Sequence, residues 1–196
     1  MRDLGHPPIL QRHAMKRFIL TGAPGAGKTA ILRQLELEGF SVVEEAATDV
    51  IALWQAQGIA EPWMDRSFID AVAGLQRQRQ IGSASAVVEV QFHDRSVICT
   101  AALAAYLGYP RSETLSRELE RVQAEKIYRK QVFFIRNLGF IKPTEARQIS
   151  FEESLRFEQI HEETYRTLGF EIVSIEPGSL VDRVKAIKLA LETRPG

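Results

Sequence analysis

Gly22-Ala23-Pro24-Gly25-Ala26-Gly27-Lys28-Thr29 decides how this chain is read. These residues satisfy G-x-x-x-x-G-K-[S/T], the phosphate-loop (P-loop) pattern, at every fixed position. Lys16-Arg17-Phe18-Ile19-Leu20-Thr21 before them reads as a short buried strand, and Ala30 to Leu37 after them as a helix. Strand, glycine loop and helix are the parts such an anion site requires. Glycine opens backbone angles closed to other residues, so successive N–H groups turn inward around a phosphate. The helix adds its unpaired first-turn donors and positive dipole end. Gly22, Ala23, Pro24, Gly25, Ala26, Gly27, Lys28, Thr29 and Ala30 are therefore the expected cradle of a nucleoside triphosphate. Lys28 is placed on the β- and γ-phosphates, and the Thr29 hydroxyl on Mg²⁺.

Outward from the loop, short apolar runs alternate with helical patterns. Strands are expected at Phe40–Val43, Ala86–Phe92, Gln131–Ile135 and Phe170–Ile175. Helices are expected from Glu44-Glu45 through Trp54, and over Arg66–Ile81, Val97–Leu107, Ser112–Tyr128, Phe151–Leu168 and Leu180–Leu191. Five such strands between helices predict an α/β fold, a parallel sheet covered on both faces. Ligands then bind at the carboxyl ends of the strands. That rule brings the P-loop, Glu44, Asp94–Ser96 and the segment after Ile135 to one edge.

The chain has 196 residues, which suits one domain over residues 16–196 behind an N-terminal arm at 1–15. Met15 stands directly before the first strand and is a candidate start residue; an ordinary N-terminal arm is the equal alternative. Acidic and basic residues balance at 25 each, so no overall field draws nucleic acid or an anionic membrane. Cys99 is the only cysteine, which excludes an intrachain disulfide and fits a reducing cytoplasm. No apolar run reaches the roughly 20 residues of a membrane span.

The expected third strand leads into His93-Asp94-Arg95-Ser96. An aspartate there can hold Mg²⁺ or accept a proton; capping the next helix is the structural alternative. Many ATP-hydrolysing motors follow this aspartate with a glutamate that polarises water. Here the position is Arg95, which cannot act as a base but binds phosphate oxygens in a fork. Asp94 and Arg95 therefore point to transfer onto a second substrate. Glu44 is the candidate for binding that substrate, or for the base, ahead of Glu45. Arg136 and Arg147 are candidates for the phosphates, Arg147 from a lid near 140–150. Arg77 and Arg79 read as a solvated helix face. His93 reads as structural, and Trp54 and Trp63 as core residues before base-stacking ones.

The P-loop, the strand into Glu44-Glu45, Phe92-His93-Asp94-Arg95-Ser96, Thr144-Glu145-Ala146-Arg147 and the stretch Tyr165–Phe170 together resemble a known family. It is the group of P-loop AAA-domain ATPase/kinase-like proteins that includes the kinase domain of bacterial ribosylnicotinamide kinase, within the wider nucleoside and nucleotide kinases. The resemblance covers about residues 16–192. Asp94-Arg95-Ser96 is similar to the Asp-Arg and Glu-Arg motifs of deoxynucleoside and thymidylate kinases. The resemblance implies a three-layer α/β/α sandwich with strand order 2-3-1-4-5, ATP with Mg²⁺, and an arginine-bearing lid. It implies a phosphotransferase acting on a small molecule such as a nucleoside or nucleotide. The competing reading is an ATP-hydrolysing switch with a protein partner. No Asp-Glu pair, sensor residue or helical C-terminal domain of a ring-forming motor is visible. The Asn-Lys-x-Asp motif that reads guanine is absent after the fourth strand, where Arg136-Asn137-Leu138-Gly139 stands.

Overall fold

The computed structural model describes residues 15–83, 88–138 and 150–193. β1 (Lys16–Thr21), β3 (Val90–Asp94) and β4 (Gln131–Ile135) are the central strands, and their second halves are wholly buried. β2 (Ser41–Val43) and β5 (Glu171–Ile175) are the half-covered edges. The order is β2-β3-β1-β4-β5, with every neighbouring pair parallel. The expected architecture and strand order are therefore borne out.

The two-residue period of a strand sorts the β1 side chains between two cores. Phe18 and Leu20 join Phe92, Phe133 and Ile175 under α1 (Lys28–Leu37) and α7 (Leu180–Thr193). Ile19 joins Val132 on the opposite face. There it packs beneath α2 (Ala47–Ala56), α3 (Ser67–Gly82), α4 (Val97–Tyr106), α5 (Glu113–Ala124) and α6 (Phe151–Thr167). Phe18, Phe92 and Phe133 form a tilted aromatic cluster with centroids 5.7–6.1 Å apart.

Several helix starts are written locally. The side chains of Ser96 and Ser112 cap α4 and α5, and Ser150 with Glu153 forms a reciprocal capping box on α6. Some boundaries differ from expectation. β3 begins at Val90 and runs to Asp94, so the aspartate is the strand's last residue. α2 begins at Ala47 because 44–46 is the turn out of β2. α5 stops at Ala124, and Lys126 follows with a positive φ of 50°. The N-terminal arm lies outside the described residues from 1 to 14, and the expected lid, with Arg147, outside them at 139–149.

Candidate functional site

Gly22, Gly25 and Gly27 all have positive φ, at 135°, 79° and 86°. Gly22 is also sterically obligatory, since a Cβ there would lie 2.2 Å from the Ile135 carbonyl oxygen. Gly27 stands at the N-cap of α1 with no side-chain cap, which leaves the first-turn N–H groups to an anion. Lys28 is buried and folds back over the loop, its Nζ donating to the Gly22 and Ala23 carbonyls at 3.2 and 2.9 Å. Thr29 and Ala30 are exposed on the outer lip of the helix.

β3 delivers Asp94 and Arg95 beside this loop, because Asp94 pairs in register with Leu20, two residues before Gly22. Both side chains are buried. Arg95 leaves the strand with φ 68°, an unusual angle for a non-glycine residue, while its N–H donates to Leu20 O at 3.0 Å. Its guanidinium donates from Nε to Glu45 Oε1 at 2.7 Å and from Nη2 to Gly22 O at 3.0 Å. It also lies 5.4 Å from the centre of the Phe157 ring. Burial opposes the charge, but Glu45, Cys99 and Asp94 outweigh it and hold the guanidinium protonated above its ordinary range.

Glu45, not Glu44, therefore meets Arg95. Glu44 is exposed and pairs with Arg33 on the outer surface. Arg79 is no solvated bystander: it donates to the carbonyls of both glutamates and pairs with Asp49, so α3 fixes the turn that carries Glu45. Behind Arg95, the Tyr165 hydroxyl sits between Cys99 Sγ at 2.9 Å and Ser96 Oγ at 3.2 Å, all of them buried.

A cavity of about 510 Å³ opens next to this ion pair. Glu45, Arg95 and Pro24 line it on the P-loop side, and Trp63, Phe68, Leu103 and Phe157 give it apolar walls. The Thr100 hydroxyl donates to Gln76 Oε1 at 2.7 Å and so orients the amide, with both residues on the cavity lining. His161 also lines it, stacked on Phe157 at 3.9 Å. Burial, reinforced by Arg95, keeps His161 neutral with a pKa well below the usual histidine range.

The remaining candidates divide. Arg136 is held by a two-pronged ion pair to Glu162 at 2.9 and 3.1 Å and by Ser174. His93 bonds Gln91 at 3.0 Å beneath Tyr128, a structural role. Trp54 packs edge-on to Phe68, whereas Trp63 reaches the cavity. Two residues that sequence reasoning passed over also touch the loop. Glu158 is buried, and burial raises its pKa against the pull of Arg136 and the N–H groups of Asn137 and Ala23. Arg183 of α7 donates to Ala26 O at 2.8 Å. Neither carries a motif, and each reaches the loop from far along the chain.

A parallel sheet in this order, with a phosphate loop leaving its central strand, defines a P-loop protein of kinase-like fold. The family model described as an AAA domain matches residues 17–183, and the chain belongs to that family. No curated protein matches it by sequence. Among solved structures it is similar to the NadR protein in complex with NAD and AMP-PNP, at 20% identity and a TM-score of 0.67. That match covers 92% of this chain and 50% of the other. NadR in complex with NR gives 19% identity and a TM-score of 0.65, over 93% and 50%. Deoxyadenosine kinase from M. mycoides, with dCMP and dCDP bound, gives 14% identity and 0.55, over 90% and 98%. At these identities the likeness is one of fold, and the chain spans about half the length of the NadR chains. Among the described residues, no helix is long and apolar enough to cross a membrane.

Proposed function

We propose that the protein is an ATP-dependent phosphotransferase whose acceptor is a small molecule with a free hydroxyl, a nucleoside being the first candidate. The observation that carries this is the cavity beside the P-loop with the Glu45–Arg95 pair on its lining. An ATPase that hands energy to a protein partner needs no enclosed space there. A kinase needs one, large enough for the acceptor and lined by a carboxylate and a cation. The NadR and deoxyadenosine kinase structures, solved with small nucleotides and related ligands, support the same reading.

In this reading the N–H groups of Gly25 to Ala30 and Lys28 hold the phosphates of ATP. Glu45 takes the proton of the acceptor hydroxyl as its oxygen attacks the γ-phosphorus. The bond from that phosphorus to the β–γ bridging oxygen breaks, and ADP leaves. Arg95 swings its fork between Glu45 and the transferred group, whose spreading negative charge it neutralises with Lys28. Thr29 and Asp94 offer the hard oxygen donors that suit Mg²⁺ and would hold it; bound there, the ion would neutralise charge between the β- and γ-phosphates. Arg147 is the proposed closing residue.

The test is ADP release from purified protein, ATP and Mg²⁺, with and without a panel of nucleosides and related hydroxyl compounds. Stimulation by one compound is expected. Leu103→Trp, which fills the cavity, is expected to abolish that stimulation while ATP binding persists. Stimulation that survives the filled cavity would overturn the assignment of the acceptor site.

A further inference from the structure

Arg183 lies in the first turns of α7, 157 residues from the loop it touches, and is 4% exposed. Its Nη1 donates to Ala26 O at 2.8 Å, and its Nη2 to Arg136 O, at the end of β4, at 2.9 Å. Among the described residues its guanidinium donates to these two carbonyls, and its buried Nε has no partner. Burial alone acts on its pKa, and lowers it. A buried guanidinium bound only to carbonyls is costly to keep, so packing alone does not explain it.

The Ala26 contact has a consequence on the other side of the peptide. In a trans peptide the C=O and N–H point in opposite directions, and the described chain has no cis bond. With Ala26 O turned toward α7, the Gly27 N–H is turned away from it. That orientation is not secured by local sequence. Gly27, with φ 86°, is a residue about which the Ala26–Gly27 peptide can rotate at little cost. A flipped peptide would place a carbonyl lone pair where a phosphate oxygen belongs. Nη1 is packed against the loop here, 3.1 Å from where a Gly27 Cβ would stand.

We infer that Arg183 is a positioning residue of the phosphate site: it locks the Ala26–Gly27 peptide with its N–H toward the phosphates and lends the loop a positive charge. The inference rests on the reading of the loop as an ATP site. Both effects act on the phosphate chain, and neither acts on base or ribose.

The experiment compares ATP and AMP affinities, by calorimetry, in the full chain and in R183M and R183K. R183M is expected to weaken ATP by about tenfold or more, the size of a lost charge-assisted contact, while AMP changes by less than about threefold. R183K keeps the charge and one donor, and is expected to recover most of the ATP-to-AMP preference. ATP affinity unchanged in R183M would overturn the inference. So would a parallel loss of ATP and AMP, which is what a merely structural role predicts. If R183M does not fold, R183K decides: a retained preference supports the lock, and a lost preference in a folded variant overturns it. Wild-type protein that binds no ATP would instead overturn the ATP-site reading, and this inference with it.

Discussion

Replacing Glu45 by glutamine tests the ion pair on the cavity lining. Arg95 Nε and Glu45 Oε1 are 2.7 Å apart, with the two side chains only 8% and 16% exposed. With charge centres about 4 Å apart and an effective dielectric near 20, the attraction is about 4 kcal/mol. Desolvation of the two groups offsets much of that in the intact pair. Removing one partner is different, because the guanidinium then stays buried without its nearest counter-charge and only Asp94 remains of the carboxylates that act on it. Such losses run to about 3–5 kcal/mol. Glutamine retains a carbonyl for the Nε–H, and Gly22 O still accepts from Nη2, so the lower end, about 3 kcal/mol, is expected. For a chain of this length that is a fall in Tm of about 6–12 °C. Turnover should fall further than stability explains, by about 10²–10⁴ if Glu45 is the base, with ATP affinity unchanged. Thermal unfolding, ATP calorimetry and acceptor-dependent ADP release separate the three effects. Adding Arg95→Met should recover part of the stability but not turnover, since no buried guanidinium is then left without its carboxylate. A Glu45→Gln protein that keeps full acceptor-dependent turnover would refute the assignment of the base. An unchanged Tm would refute the energetic argument.

Other expectations follow from single contacts. Lys28→Ala should lower turnover by on the order of 10²-fold or more with the fold intact, as loss of a transition-state cation predicts; kinetics beside circular dichroism would check it. Gly22→Ala should destabilise by about 3 kcal/mol or prevent folding, because the Cβ would meet Ile135 O at 2.2 Å and the positive φ adds strain; denaturant titration measures it. His93 is held neutral, its pKa lowered to about 3 by burial and then by Arg17. Unfolded histidine titrates near pH 6.5, so between about pH 6.5 and 3 the unfolded chain binds a proton that the folded chain refuses. The stability His93 contributes is full above about pH 6.5 and declines as pH falls, by about 2–3 kcal/mol at pH 4.5. His93→Phe should flatten the urea-derived stability profile over that range, and an unaltered slope would contradict the burial argument.

The fold was legible wherever a physical signal was local. The glycine loop declared the β1–loop–α1 unit, and Asp94-Arg95 declared the end of β3, although the strand's start was set several residues too early. The strand order came from resemblance, since apolar strands carry no label of their neighbours. What escaped was side-chain direction and long-range contact. The sequence puts Glu44 ahead of Glu45, yet the turn after β2 sends Glu44 to Arg33 and Glu45 to Arg95. Arg79 reads as solvated because its partners, two backbone carbonyls and the Asp49 carboxylate, lie 30 to 35 residues away. Arg183 had no motif at all, only a place that the packing of α7 on α1 creates. The cavity is likewise a joint product of α2, α3, α4 and α6, which no single stretch of sequence announces.

The central claim is transfer of the γ-phosphate to a small molecule. It is tested most directly by incubating the protein with Mg²⁺, γ-labelled ATP and a pool of unphosphorylated nucleosides and related alcohols, and following where the label goes. The account predicts label in a phosphorylated acceptor, formed in step with ADP and lost in Lys28→Ala. Label released only as inorganic phosphate, at a rate indifferent to the pool, would contradict it and establish a hydrolase.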